Sequence, residues 1–159
     1  MTVIIGIDPG SRRTGYGIIR FEGYRYTYLA SGHVDLTRIV KTDRLRQLFL
    51  KLQDIVQVYR PDEAAIEQVF MHENAQSALK LGQARGAAMV AFSIPVAEYS
   101  AREIKKSVVG HGAAGKSQVQ YMVQRLLNLK AALQADAADA LAVALCHAQS
   151  RHLKQLLKG

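Results

Sequence analysis

Residues 3–7, Val-Ile-Ile-Gly-Ile, are an unbroken apolar run that stops at Asp8-Pro9-Gly10-Ser11. A strand with no polar side is a strand covered on both faces. The acid, proline and glycine behind it are a strong turn signal. A chain opening in this way needs a sheet with layers on both sides, and the remaining segments supply them. Residues 14–21 and 24–31 carry Tyr, Ile, Phe and Thr around Gly23 and predict two strands joined by a short hairpin. Leu45, Leu48, Phe49, Leu52, Ile55, Val56 and Tyr59 recur at helical spacing, which predicts a helix over 42–59 closed by Pro61. Ala64-Ala65-Ile66 reads as a short buried strand ending at Glu67, and 95–98 as a last one. Further helices are expected over 74–91, 100–108, 116–129 and 134–150. The order β-β-β-α-β-α-β-α-α-α predicts an α/β fold, a mixed five-stranded sheet flanked by helices.

The 159 residues suit one domain, 1–159, with a short basic tail over 151–159. Apolar residues make up 49% and charged residues 21%, which excludes a disordered chain. A single cysteine, Cys146, excludes a disulfide framework and reads as a packing residue. No uncharged apolar run is long enough to span a bilayer, and no membrane partner is expected. The opening decapeptide has no basic stretch and meets an acid at Asp8, so no secretory leader is expected and the expected location is cytoplasmic. Lys and Arg number 21 against 13 Asp and Glu, a net charge of +8. Between 102 and 130 stand Arg102, Lys105, Lys106, Lys116, Arg125 and Lys130 against Glu103 alone. Such a distribution fits either a solvated basic face or a surface for nucleic acid.

Two acids stand at the ends of buried strands, Asp8 and Glu67, and the C-terminal edge of an α/β sheet is where ligands bind. Asp136 and Asp139 are three apart on a helix otherwise built of Ala, Leu and Val, so they share a face. Taken singly, each has an ordinary explanation: a turn residue at Asp8, a surface acid at Glu67, a cap or dipole partner at Asp136 and Asp139. Brought together, four carboxylates would repel one another and lose hydration, unless some protonate or a divalent cation binds. Oxygen donors without a His or Cys motif select Mg²⁺ or Mn²⁺ over Zn²⁺. His33, His72, His111, His147 and His152 make no metal-ligand spacing.

Gly110 to Ser117 matches the phosphate-loop pattern G-x-x-x-x-G-K-[ST] in full. What precedes it is helical in character, and no later strand ends in the acid such a site requires. A glycine loop carrying Lys116 toward a DNA phosphate fits better than nucleotide binding. Ala75, Ala78, Gly82 and Gly86 form a stripe of small residues that suits close approach of the protein's own sheet or of a second subunit.

GIDPGSRRTGYGII (6–19), AIEQVFM (65–71), SALKLGQARG (77–86) and QADAADALAVA (134–144) resemble the RuvC-type Holliday-junction resolvases along essentially the whole chain. The resemblance implies an RNase H-like fold, a homodimer, and Mg²⁺-dependent cutting of two opposed strands at a four-way DNA junction. It implies two ions per site, with Mn²⁺ as a substitute, and products with 5′-phosphate and 3′-hydroxyl ends. It places Asp8, Glu67, Asp136 and Asp139 as metal ligands, and Lys105 and Lys116 as DNA contacts that assist catalysis. Phe70 matches an aromatic that stacks on bases near the crossover. Arg12, Arg13 and Lys106 are further candidate phosphate contacts, and RuvA and RuvB are the implied partners. The competing expectations are a related RNase H-like nuclease acting on RNA or other branched DNA, a nucleotide-binding protein using Gly110–Ser117, and a junction binder that does not cut.

Overall fold

The computed structural model describes residues 1–69 and 74–157, apart from the Gln155 side chain. Five strands, β1 (Thr2–Asp8), β2 (Arg13–Glu22), β3 (Arg25–Asp35), β4 (Glu63–Glu67) and β5 (Val96–Tyr99), form one sheet in the order β3-β2-β1-β4-β5. β1, β2 and β3 pair antiparallel, while β4 and β5 join parallel to β1 and to each other. The sheet is therefore mixed and five-stranded, as expected. Helices α1 (Arg44–Tyr59), α2 (Ala75–Val90), α3 (Ala101–Val109), α4 (Lys116–Leu126) and α5 (Ala135–Leu156) flank it.

Side chains alternate across a strand, so β1 sends neighbours to opposite layers. Ile4 packs with Ile19, Phe21 and residues of α3, α4 and α5; Ile5 and Ile7 pack with Ile18, Leu48 and Leu52 of α1, and Ala84 and Ala88 of α2. Ile4, Ile5 and Ile7 are all fully buried. Each contributes roughly 1.5–3 kcal/mol through removal from water. This two-sided burial is what the apolar run at 3–7 anticipates.

The differences from the expected boundaries have local causes. α1 is preceded by a 3-10 turn at Lys41–Asp43 and ends where Arg60 adopts φ 45°, ahead of Pro61. α4 stops at Leu126, because Asn128 turns left-handed at φ 51°. β3 continues past residue 31 to Asp35, since its partner β2 extends equally far. α5 runs on to Leu156, taking in most of the expected tail. Arg151 Nε lies 2.8 Å from Glu63 Oε1, and the His152 ring meets Phe21 and Tyr24 edge-on, so the helix continues past the expected end at 150 and packs there. Among the described residues no helix is long and apolar enough to cross a membrane.

An acidic centre at the sheet edge

Ile7 of β1 and Ile66 of β4 are register partners in a parallel pair. The next residues, Asp8 and Glu67, therefore end neighbouring strands at the same level. By alternation they share the face of Ile4 and Ala65, the face that α5 covers. The third component arrives because α5 sits unusually close to the sheet. A Cβ on Gly6 would lie 2.2 Å from the Ala140 carbonyl oxygen, and one on Gly15 would lie 2.2 Å from that of Asp136. On Gly17 it would lie 2.7 Å from Leu141. Gly6 and Gly17 are cross-strand partners, as are Asp8 and Gly15. The three glycines form a bare strip on which the first turns of α5 rest, and this brings Asp136 and Asp139 over the end of β1.

All four carboxylates are partly buried. Burial, reinforced by Asp139, Glu67 and Asp136, pushes the Asp8 carboxyl up to about 8, against the pull of Lys116. Glu67 is raised by burial and by Asp139; a hydrogen bond with Asp8 and the charges of Lys105 and Lys116 work the other way. Asp139 is raised by burial, with Lys116 opposing and Asp136 adding to the rise. These mutual effects place the four acids within reach of one another. Crowding and burial thus favour the neutral form of Asp8, and the hydrogen bond with Asp8 eases the charge on Glu67.

Two lysines face the acids. Lys116, the first residue of α4, puts Nζ 3.5 Å from Asp139 Oδ2 with its side chain largely in solvent. Lys105 of α3 lines the same cavity of about 200 Å³ as Glu67, Lys116 and Asp139. α3 is held in place by a capping box in which Ser100 Oγ accepts from the Glu103 N–H and Glu103 Oε2 accepts from the Ser100 N–H. Among the described residues, no three acid, His or Cys side chains are arranged to hold a metal ion as they stand. The donor set nevertheless suits a hard divalent cation: it is all carboxylate oxygen, and burial forces one acid toward neutrality, a strain that positive charge relieves.

The other candidate residues fall elsewhere. Lys106 is exposed, one position round the helix from Lys105 and outside that cavity. Arg13 is exposed, lies outside that cavity and pairs with Asp35 at 3.7 Å. Arg12 lines a separate cavity between the turn after β1 and the helices α1 and α2. Phe70 lies outside the described residues. The phosphate-loop pattern fails on context: Gly110–Gly115 connects α3 to α4, helix to helix, where a phosphate loop leaves a strand. The stripe on α2 is not core. Ala75, Gly82 and Gly86 are exposed, and a Cβ on either glycine would meet nothing within 4 Å.

Two features carry no simple sequence signal. A glycine inside a strand hints at close backbone approach, but which glycines lie together depends on register. Arg85 of α2 donates from Nε to the Glu67 carbonyl at 3.4 Å and pairs with Glu98 of β5, steadying the end of β4.

A profile described as "Crossover junction endodeoxyribonuclease RuvC" matches residues 4–147. A protein of that name from Shewanella amazonensis is 59% identical over 150 residues, covering 92% of this chain and 87% of its own. One from Coxiella burnetii is 58% identical over 158 residues, covering 98% and 92%. The solved structure of T. thermophilus RuvC in complex with a Holliday junction substrate superposes with a TM-score of 0.91 at 31% identity, covering 97% of each chain. The fold is thus RNase H-like, as expected, and with matches of this extent the chain belongs to the RuvC family of crossover junction endodeoxyribonucleases.

Proposed function

We propose that the protein resolves four-way DNA junctions, cutting two opposed strands and leaving 5′-phosphate and 3′-hydroxyl ends. The observation that carries the mechanism is the convergence of Asp8, Glu67 and Asp139, with Asp136 beside them, at a sheet edge faced by Lys105 and Lys116. These carboxylates would hold two Mg²⁺ ions, or Mn²⁺ in their place. Such ions would supply Lewis-acid help to an attacking water and to the departing 3′ oxygen. Asp8 would have to be ionised to serve as a ligand, and positive charge in the pocket would offset the burial that opposes this. Lys116 points from the first turn of α4 toward the same space and stabilises the extra negative charge of the phosphorane-like transition state. Lys105 draws the backbone into the cavity. Burial of the acids against α5 keeps their positions fixed while the strand is cut.

The exposed small-residue face of α2, with Leu79 and Val90 also largely in solvent, supports a homodimer. A two-fold pair would present two centres to the two strands of a nearly symmetric junction. Phe70, three residues after Glu67 in sequence, is assigned to stacking on bases near the crossover. RuvA and RuvB are the partners the family resemblance implies, and the cytoplasm is where chromosomal junctions of a bacterium arise.

Cleavage of a synthetic four-way junction in Mg²⁺, set against plain duplex, other branched DNA and RNA–DNA hybrid, tests this reading, with Asp8→Asn as the control. Cutting confined to the junction and lost in Asp8→Asn supports it. Equal cutting of duplex or hybrid, or cutting that survives Asp8→Asn, overturns it.

A further inference from the structure

A cavity of about 270 Å³ lies between the turn after β1, the segment joining β3 to α1, and one side of α2. Arg12, Lys41, Arg44 and Lys80 line it, with Gln83 beside them. Leu36 and Ala84, both buried, form its apolar floor. Among the described residues no acid lines it, so four cations share one concave surface with no counter-charge.

The arrangement is built, not incidental to a loose loop. The Leu36 N–H donates to the Arg12 carbonyl at 2.8 Å, which fastens the turn after β1 to the end of β3. Arg44 donates from Nε to the Ile39 carbonyl at 3.0 Å and from Nη2 to the Thr37 carbonyl at 3.5 Å, which holds its guanidinium in place before any ligand arrives. Lys41 and Lys80 are exposed and approach from two different elements. A concave surface with an apolar floor focuses the field of these charges more than a flat patch in water does. Guanidinium and ammonium groups together, with an amide donor at the rim, suit a tetrahedral oxyanion.

The position relative to the acids narrows the ligand. Arg12 is four residues from Asp8, so their Cα atoms are at most ~14 Å apart. Successive phosphates of one strand advance about 3.4 Å along a duplex. A strand that passes Asp8 therefore comes level with the Arg12 backbone within about four phosphates of the cut. We infer that this cavity is a second, non-catalytic phosphate site. It seats one backbone phosphodiester of a junction arm, within four nucleotides of the cut, through Arg12, Lys41, Arg44 and Lys80. The inference rests on the reading of the chain as a junction nuclease and adds to it a fixed point that sets the register of the arm.

Single methylphosphonates, which remove one backbone charge at a time, test it. They are placed at each of the four phosphates on either side of both cuts, and junction binding is measured in chelator. Wild-type protein is expected to lose roughly tenfold in affinity at one or two adjacent positions. In Lys41→Ala/Lys80→Ala those positions become insensitive, and the salt dependence of binding falls by about one unit of slope. Lys51→Ala/Lys154→Ala removes the same charge from exposed positions outside the cavity and should keep the wild-type positional profile. Both pairs are exposed, and circular dichroism melts check that both variants fold. If Lys41→Ala/Lys80→Ala keeps the wild-type profile, or no position in the window is sensitive in wild type, the assignment falls while junction cutting stands. Wild-type protein that neither binds nor cuts a junction overturns the parent reading instead.

Discussion

Lys116 Nζ lies 3.5 Å from Asp139 Oδ2, so the first residue of α4 and the second acid of α5 form a bridge across the mouth of the acidic centre. The lysine side chain is 76% exposed and the aspartate's 19%. A pair so lopsided adds little to stability. Its consequence is placement, because it keeps a flexible cation beside the acids while leaving it free to swing toward an incoming phosphate.

Lys116→Ala should lower the single-turnover cleavage rate by about 10²-fold. The melting temperature should move by no more than ~2 °C, as expected for removal of an exposed pair. Cleavage under excess protein, read beside thermal melts, separates the two effects. A large drop in melting temperature would instead make Lys116 a structural residue.

Asp8→Asn should bind junctions and fail to cut them, and it should also change how stability responds to pH. The folded-state carboxyl is raised to about 8 from its ordinary 3.8. A raised value means that the contribution is fully present below the unfolded value and is lost as pH climbs through the folded one. Metal-free wild-type protein should therefore lose stability progressively between about pH 4 and pH 8. Asn carries no charge to bury, so in chelator the variant should be flatter over that window and melt about 5 °C higher at pH 8. Melts at pH 5 and pH 8 check both statements.

Gly6→Ala should cost about 3 kcal/mol, near the upper end for overpacking, because the added carbon meets helix backbone. It would lie 2.2 Å from the Ala140 carbonyl oxygen and 2.6 Å from the Ala144 nitrogen. α5 must lift, and Asp136 and Asp139 lift with it, so cleavage should fall further than the stability loss explains. Urea unfolding and single-turnover cleavage give the two numbers.

Gly82→Ala meets nothing within 4 Å and lies in α2. The folded subunit should gain about 0.5–1 kcal/mol from helix propensity. If this face joins two subunits, Gly82→Trp should shift the protein from dimer to monomer in sedimentation while leaving its circular dichroism unchanged. A Gly82→Trp variant that remains fully dimeric places the interface elsewhere.

The layered fold was legible because its signals are local. The apolar run at 3–7, the helical spacing over 42–59 and the turn residues at 8–11 each state a burial pattern within a few residues, and the sheet confirms each. The acids were legible as candidates for a related reason: Asp8 and Glu67 each interrupt a buried strand at its end. The α2 stripe was not decidable, since a row of small residues says only that something approaches closely. It is the structure that shows Ala75, Gly82 and Gly86 of this row open to solvent. Arg12 looked like its neighbour Arg13, yet one lines a cationic cavity and the other pairs with Asp35 at the end of β3.

By itself the sequence determined the order of elements, the two-sided burial of β1 and the family to which the motifs belong, because periodicity and motif spacing are properties of neighbouring residues. Only the tertiary structure decided that Gly6, Gly15 and Gly17 lie together as a seat for α5, and that this seat carries Asp136 and Asp139 to Asp8. It also decided that Lys116 reaches Asp139, and that four cations from the turn after β1, the approach to α1 and the side of α2 share one cavity. Those relations depend on strand register and on helix-to-sheet distance, which are set by packing between segments far apart in the chain and leave no periodic trace in either one.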